Sequence, residues 1–193
     1  MLELSREHFR EWIPFQRAEE STGEAFDRAL RLGQNGDQSR SAWRRVGVTP
    51  SGRIIGGCAI YAMVRGLSME ASMHWWVGAD STGLGYGQEI VNAAIQYATA
   101  DLPEGLGLHK IYASIHPTNL ASVALAERTG FTRIGRSRHP VQVGDRWERL
   151  DEYEYTAPIG EAYQPPEGGV CELVPVLSIP GRASIVPSRA TRS

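Results

Sequence analysis

Trp75-Trp76-Val77-Gly78-Ala79-Asp80-Ser81-Thr82-Gly83-Leu84-Gly85-Tyr86-Gly87, running into Gln88-Glu89-Ile90-Val91-Asn92-Ala93-Ala94-Ile95, carries the most structural information in this chain. An apolar strand ends, glycines alternate through a short loop, and an amphipathic helix begins. Alternating glycines let the backbone turn tightly and present its amides without Cβ atoms in the way. The helix start adds unpaired N–H groups and the positive end of its dipole. Together these make a cradle for a phosphate or pyrophosphate. A P-loop would need Gly-Lys-Ser/Thr at the loop's end, where this chain has Gly87-Gln88-Glu89. A dinucleotide fingerprint would need a third glycine where Gln88 stands. Taken alone, the loop also reads as a plain strand-to-helix turn.

Two further segments narrow the choice. Asn119-Leu120-Ala121-Ser122 opens a second helix after a strand, and Glu127-Arg128-Thr129-Gly130-Phe131 closes it. Near the start stands Glu7-His8-Phe9-Arg10-Glu11-Trp12-Ile13-Pro14-Phe15. The Gly85-x-Gly87 loop resembles the acetyl-CoA loop, Q/R-x-x-G-x-G/A, of the GNAT N-acetyltransferase superfamily. The Asn119 segment resembles the N-x-x-S … G-F segment that follows it there. The early segment resembles the E-H-L-R-x-W-x-P-W stretch of the Rim-type branch, which contains ribosomal-protein N-terminal acetyltransferases. The three occur in the family's order, and the resemblance spans residues 5 to about 157.

Composition sets outer bounds. A chain of 193 residues builds one well-buried core rather than two. With 41% hydrophobic and 22% charged residues and a net charge of −2, bulk electrostatics give no nucleic-acid signature. Of the basic residues only Lys110 is not arginine, a bias of coding rather than of chemistry. Cys58 and Cys171 are too few and too far apart for a disulfide framework or a metal site, and Cys58 reads as a small core residue. No signal peptide or apolar run of transmembrane length is visible, so a cytoplasmic protein without membrane attachment is expected.

Periodicity predicts helices over 5–12 and 20–33, with Gly33 as the stop and Gly33-Gln34-Asn35-Gly36-Asp37 as a loop. Strands 41–48 and 53–64 form a hairpin around Thr49-Pro50-Ser51-Gly52, and a third strand covers 70–79. Helix 86–100 buries Ile90, Val91, Ala94, Ile95 and Ala98; strand 108–115 and helix 121–128 follow. Strands 131–138 and 146–156, joined by Val143-Gly144-Asp145, complete the pattern. Residues 1–157 are therefore one domain, and 158–193 are a Pro/Gly-rich extension. The apolar run 170–179 is expected to pack on the domain or on a second subunit, which makes a homodimer a candidate assembly. Rim-type proteins normally begin with a strand and a helix that do not precede Glu7 here; either the start codon is misplaced or something else covers that sheet edge, and segment 170–179 is a candidate cover.

The resemblance implies a single mixed α/β (α+β) GNAT domain, with a mostly antiparallel twisted sheet splayed where CoA inserts and helices on both faces. It implies acetyl-CoA as cosubstrate, no metal, and transfer to a primary amine by direct attack. The acceptor would be a protein N-terminus; a small amine or amino-acid-like metabolite is the alternative. A CoA-binding module that has lost catalysis is a third reading. The pyrophosphate would lie on the amides of Leu84, Gly85, Tyr86 and Gly87, and Val77 would bond the acetyl or pantetheine carbonyl. Asn119 would reach the pantetheine amide and Ser122 the sulfur, although both also suit a helix start. Departures from the family are plain. Thr82 replaces the Q/R, Ala126 the usual tyrosine acid, and Ser72 a glutamate on the preceding strand. Ser122 could serve as the acid, and His74 is the substitute base, its ring suited to proton transfer near neutrality. The rival reading of His74 is a packed core residue. His139 and Glu70 are weaker candidates for the base, and His116, beside Pro117, reads as a loop residue near the CoA.

Overall fold

The computed structural model describes residues 5, 8, 9, 12, 20–143, 146–158 and 171–175. Helix α1 (Thr22–Ser39) starts in a capping box: Glu24 N–H donates to Ser21 Oγ, and Ser21 N–H donates to Glu24 Oε2 at 2.9 Å. It runs past Gly33, so the loop expected over 33–37 is helical. Neither glycine terminates the helix: Gly33 has open space at its Cβ position, and Gly36 serves packing. A Cβ on Gly36 would lie 2.9 Å from Ala42 Cβ, where the helix meets the first strand. The helix ends instead at Arg40, in the left-handed conformation with φ 52°.

The middle of the chain follows the sequence reading to within two residues at each boundary. Strands β1 (Trp43–Val48) and β2 (Ile54–Val64) form the expected hairpin, with Thr49 N–H donating to Arg53 O at 2.9 Å. Then come β3 (Glu70–Val77), a 3-10 turn at Ala79–Ser81, α2 (Tyr86–Thr99), β4 (Lys110–Ile115) and α3 (Leu120–Arg128). Of the two long terminal strands, the first is shorter than expected and the second is broken. β5 (Thr132–Arg136) and β8 (Asp151–Thr156) pair in the main sheet, while β6 (Val141–Val143) and β7 (Arg146–Glu148) form a separate ribbon. Ser137 and Leu150 close the branch point through Ser137 N–H to Leu150 O at 2.8 Å and Leu150 N–H to Ser137 Oγ at 3.1 Å. Pro140, which lacks a donor, lies between β5 and β6. Gly144 and Asp145 of the expected connection lie outside the described residues.

The main sheet has the order β5-β8-β4-β3-β2-β1-β9, where β9 is Glu172–Pro175. Every neighbouring pair is antiparallel except β3 with β4. This is the open, mostly antiparallel mixed α/β architecture expected. β9 pairs with β1 from Arg45↔Pro175 to Val48↔Glu172, and Cys171 and Leu173 pack against the core. The candidate edge cover thus lies on that edge over 171–175; the rest of segment 170–179 is outside the described residues.

One sheet face is apolar. Met73 and Trp75 of β3, Ile111 and Ala113 of β4 and Tyr153 of β8 meet Ile90, Val91, Ala94 and Ile95 of α2 there. Strand alternation sends Ser72, His74, Tyr112, Ser114, Glu152 and Glu154 to the opposite face. No helix among the described residues is long and apolar enough to cross a membrane.

Candidate active site

β3 and β4 run parallel, and they pair only at Glu70↔Lys110, Ala71↔Ile111 and Ser72↔Tyr112. Beyond Ser72 the two strands part, while β3 keeps its other neighbour, β2, as far as Val77↔Gly56. The side of β3 facing β4 is therefore free of sheet pairing up to Val77. Helices α2 and α3 both begin at the open end of this wedge, at the carboxyl ends of the two strands, a usual position for ligand sites in parallel pairs.

Gly85 caps α2 at φ 86°, and no side chain caps this helix. Gly83 also has positive φ, at 74°, and open space surrounds the Cβ position of both glycines. Gly87 is tighter, for a Cβ there would lie 3.1 Å from Leu125 Cδ2 and 3.3 Å from Val77 Cγ2. Thr82 Oγ1 donates to Ala79 O at 3.1 Å, so this hydroxyl is committed to the turn. Ala79 N–H in turn donates to Ser5 Oγ at 3.0 Å, which ties the N-terminal segment to the loop. From that segment Phe9 packs edge-on to Trp76, with centroids 5.6 Å apart, and Trp12 lies 5.6 Å from the His116 ring. Aromatic side chains thus stand on both walls of the wedge.

Two adjoining cavities fill the opening. The larger, about 400 Å³, is lined by Val77, Gly83, Gly85 and Gly87, with Asn119, Ser122 and Arg128 across from them. The smaller, about 120 Å³, is lined by His74, Ser114, His116, Asn119 and Ser122. Asn119 and Ser122 line both, so they stand where the two meet. Leu84 and Tyr86 belong to the loop, but neither lines the larger cavity; Leu84 is exposed. Asn119 caps α3, its Oδ1 accepting from Ser122 N–H at 3.1 Å, which leaves only Nδ2 as a donor. Ala126, where a tyrosine acid would fall, is fully buried in the core.

His74 opens onto the smaller cavity at its floor, 5.3 Å from the Tyr61 ring. The residue is exposed on the cavity side, while protein atoms lie close around the ring on the sheet side. That burial, with Arg44 nearby, pushes its pKa down to about 4. Ser114 Oγ donates to Glu152 Oε2 at 2.8 Å. Further along the same face, burial and the carboxylates of Glu154 and Glu70 raise the Tyr112 phenol to about 12. Both cysteines are inert as nucleophiles, since burial pushes the Cys58 and Cys171 thiols up to about 12. Among the described residues no group of three or more His, Cys, Asp or Glu could hold a metal ion.

Two features escaped the sequence reading. Arg128 was visible only as part of a helix end, yet it lines the larger cavity. Glu148, on the β6–β7 ribbon, accepts a hydrogen bond from His116 Nε2, a pairing across 32 positions that no local pattern announces.

The Acetyltransferase (GNAT) domain model matches residues 1–132. The probable N-acetyltransferase YjcK of Bacillus subtilis (strain 168) is 30% identical over 96 residues, 50% of this chain and 51% of that protein. The chain thus spans about half the length of the curated relative it matches. Among solved structures, ribosomal-protein-S5-alanine acetyltransferase from Vibrio fischeri superposes with a TM-score of 0.71 at 19% identity, covering 85% of this chain and 86% of that one. Spermidine N-acetyltransferase from Vibrio cholerae, solved in complex with CoA and spermine, gives 0.64 at 21% identity over 80% and 85% of the two chains.

Proposed function

The chain belongs to the GNAT acetyltransferase domain family, and on that premise we propose that it is an N-acetyltransferase carrying an acetyl group from acetyl-CoA to a primary amine by direct attack. The carrying observation is that Asn119 and Ser122 line both cavities, so that one thioester at their junction faces the cosubstrate channel and the acceptor chamber together. Such a reaction asks for positioning, removal of one proton and stabilisation of an oxyanion.

In this reading the amides of Leu84, Gly85, Tyr86 and Gly87 hold the pyrophosphate at the uncapped start of α2. Arg128 supplies the positive charge that Thr82 does not. The backbone of Val77, on the unpaired side of β3, holds the acetyl or pantetheine carbonyl. Asn119 donates to the pantetheine amide through Nδ2, and the Ser122 hydroxyl protonates the departing sulfur. With both thiols inert, neither cysteine forms an acyl-enzyme. His74 stays neutral and contributes a hydrogen-bonding wall to the acceptor chamber. A ring whose conjugate acid sits at about 4 is a poor acceptor for an ammonium proton.

The Rim-type resemblance favours a protein N-terminus as acceptor. A second reading, a small polycationic amine, draws on the acidic face beside the chamber, where Glu70, Glu152 and Glu154 outnumber Lys110 and Arg44. Acetyl-CoA consumption measured against N-terminal peptides, polyamines and amino acids, with Gly85→Glu as the blank, tests the proposal. Consumption with one acceptor class and none in the blank is expected. CoA binding without turnover of any amine would leave a binding module in place of an enzyme.

A further inference from the structure

His116 is the residue immediately after β4, and it lines the acceptor chamber with Ser122 and Asn119. Thr118 N–H points at His116 Nδ1 at 3.3 Å, and Thr118 Oγ1 lies 2.8 Å from the same nitrogen. A backbone amide can only donate, so Nδ1 is the bare nitrogen and the proton sits on Nε2, directed at Glu148 Oε2. Glu148 is itself held by Arg146 Nε at 3.3 Å, and the His116 bond keeps its carboxyl below the usual range. A carboxylate on one ring nitrogen fixes the tautomer and makes the other nitrogen more basic. The ribbon that leaves the main sheet at Ser137 brings that carboxylate to the chamber.

We propose that His116, oriented by Glu148, takes the proton from the acceptor amine; this rests on the acetyltransferase reading above. Glu148 is a positioning residue. The ammonium gives one proton to His116 Nδ1, and the freed lone pair forms the C–N bond at the acetyl carbonyl carbon. The C–S bond breaks, the nitrogen gives up its second proton to solvent, and the thiolate takes the Ser122 proton, which solvent replaces. The proton on Nδ1 passes to solvent beside Thr118. The groups that bear on the imidazole are Glu148 and Arg146 from β7, His74 from β3 across the chamber, and Glu152 of β8 through Ser114, with Trp12 against the ring.

The test compares wild type, His116→Gln and Glu148→Gln, with spermidine and an alanine-ended peptide as acceptors. Wild-type kcat/KM should rise with pH as the imidazole loses its proton and then level off. Glutamine at 148 can still accept from Nε2 but carries no charge. That variant should keep the geometry but lower kcat with little change in KM, since the charge that steadies the protonated ring is gone. His116→Gln should lose the rise and fall by about 10²–10⁴-fold. Calorimetric CoA affinity should hold in both variants. An unchanged rate and pH profile in His116→Gln, with CoA still bound, would overturn the assignment and leave the family reading intact. Loss of CoA binding in the wild type would instead remove the acetyltransferase reading. Imidazole nitrogen shifts of the CoA complex decide the tautomer whichever acceptor is used. Protonation at Nε2 is expected, and protonation at Nδ1 would overturn the proposal.

Discussion

Asn119 performs two tasks with two atoms, and substitutions can separate them. Its Oδ1 caps α3, while Nδ2 is the donor offered to the cosubstrate. Asn119→Asp keeps the cap oxygen and removes the donor, so the melting temperature should hold while CoA affinity falls about three- to tenfold. Asn119→Ala loses both and should also cost about 1 kcal/mol of stability by thermal unfolding. Ser122→Ala should lower the chemical rate more than CoA affinity, because only the transition state gains from a proton donor. Equal losses in single-turnover and binding measurements would assign Ser122 to binding. His74, with its imidazole at about 4, is neutral at ordinary assay pH. His74→Gln should therefore leave the shape of the pH–rate profile between about pH 6 and 9 unchanged.

At the scale of elements, the start of α2 and the branch between β5 and the ribbon matter most. Gly85→Glu and Gly87→Glu each place a side chain and a negative charge where the pyrophosphate would sit. Calorimetry should find CoA binding abolished in both. Gly85→Ala isolates the backbone effect, since φ 86° costs a residue with a Cβ about 1–2 kcal/mol. At the branch, Asp151 accepts from Arg133 Nε and Nη2, each at 2.9 Å, and from Arg136 Nε at 3.0 Å. The Arg133 bonds, with Arg136, hold its carboxyl down to about 2. The folded pKa lies below the unfolded value, so this contribution is complete above about pH 4 and is lost as pH falls toward about 2. Circular dichroism through that window should show Asp151→Asn losing less stability on acidification than wild type.

The whole molecule depends on a pairing between distant parts of the chain. β9 lies along β1 at the end of the sheet, and Leu173 packs on the core there. Leu173→Asp should detach the strand and cost about 1–3 kcal/mol from lost burial. It should also expose the β1 edge to other molecules. Thermal melts and light scattering would report the two effects, and a variant that melts like wild type and stays monodisperse would show that β9 does not protect the edge.

What the amino-acid order determined by itself was mostly local. The glycine loop, the amphipathic period of α2, the Thr49–Gly52 turn and the Asn119 cap are each written within a few neighbouring residues, and their spans were legible. Gly36 misled because a glycine that ends a helix and one that lets a helix approach a strand are the same residue; only the 2.9 Å approach of Ala42 separates the two roles. Tertiary structure alone decided the rest. It moved residues 146–148 out of the strand that ends at Thr156, carried Glu148 to His116 and brought Arg128 to the larger cavity. It also crowded the sheet side of the His74 ring and set it beside Arg44 on the face that lines the smaller cavity, which lowers its pKa. Each of these depends on distance and dielectric between residues far apart in the chain, and those quantities exist only once the wedge between β3 and β4 has formed.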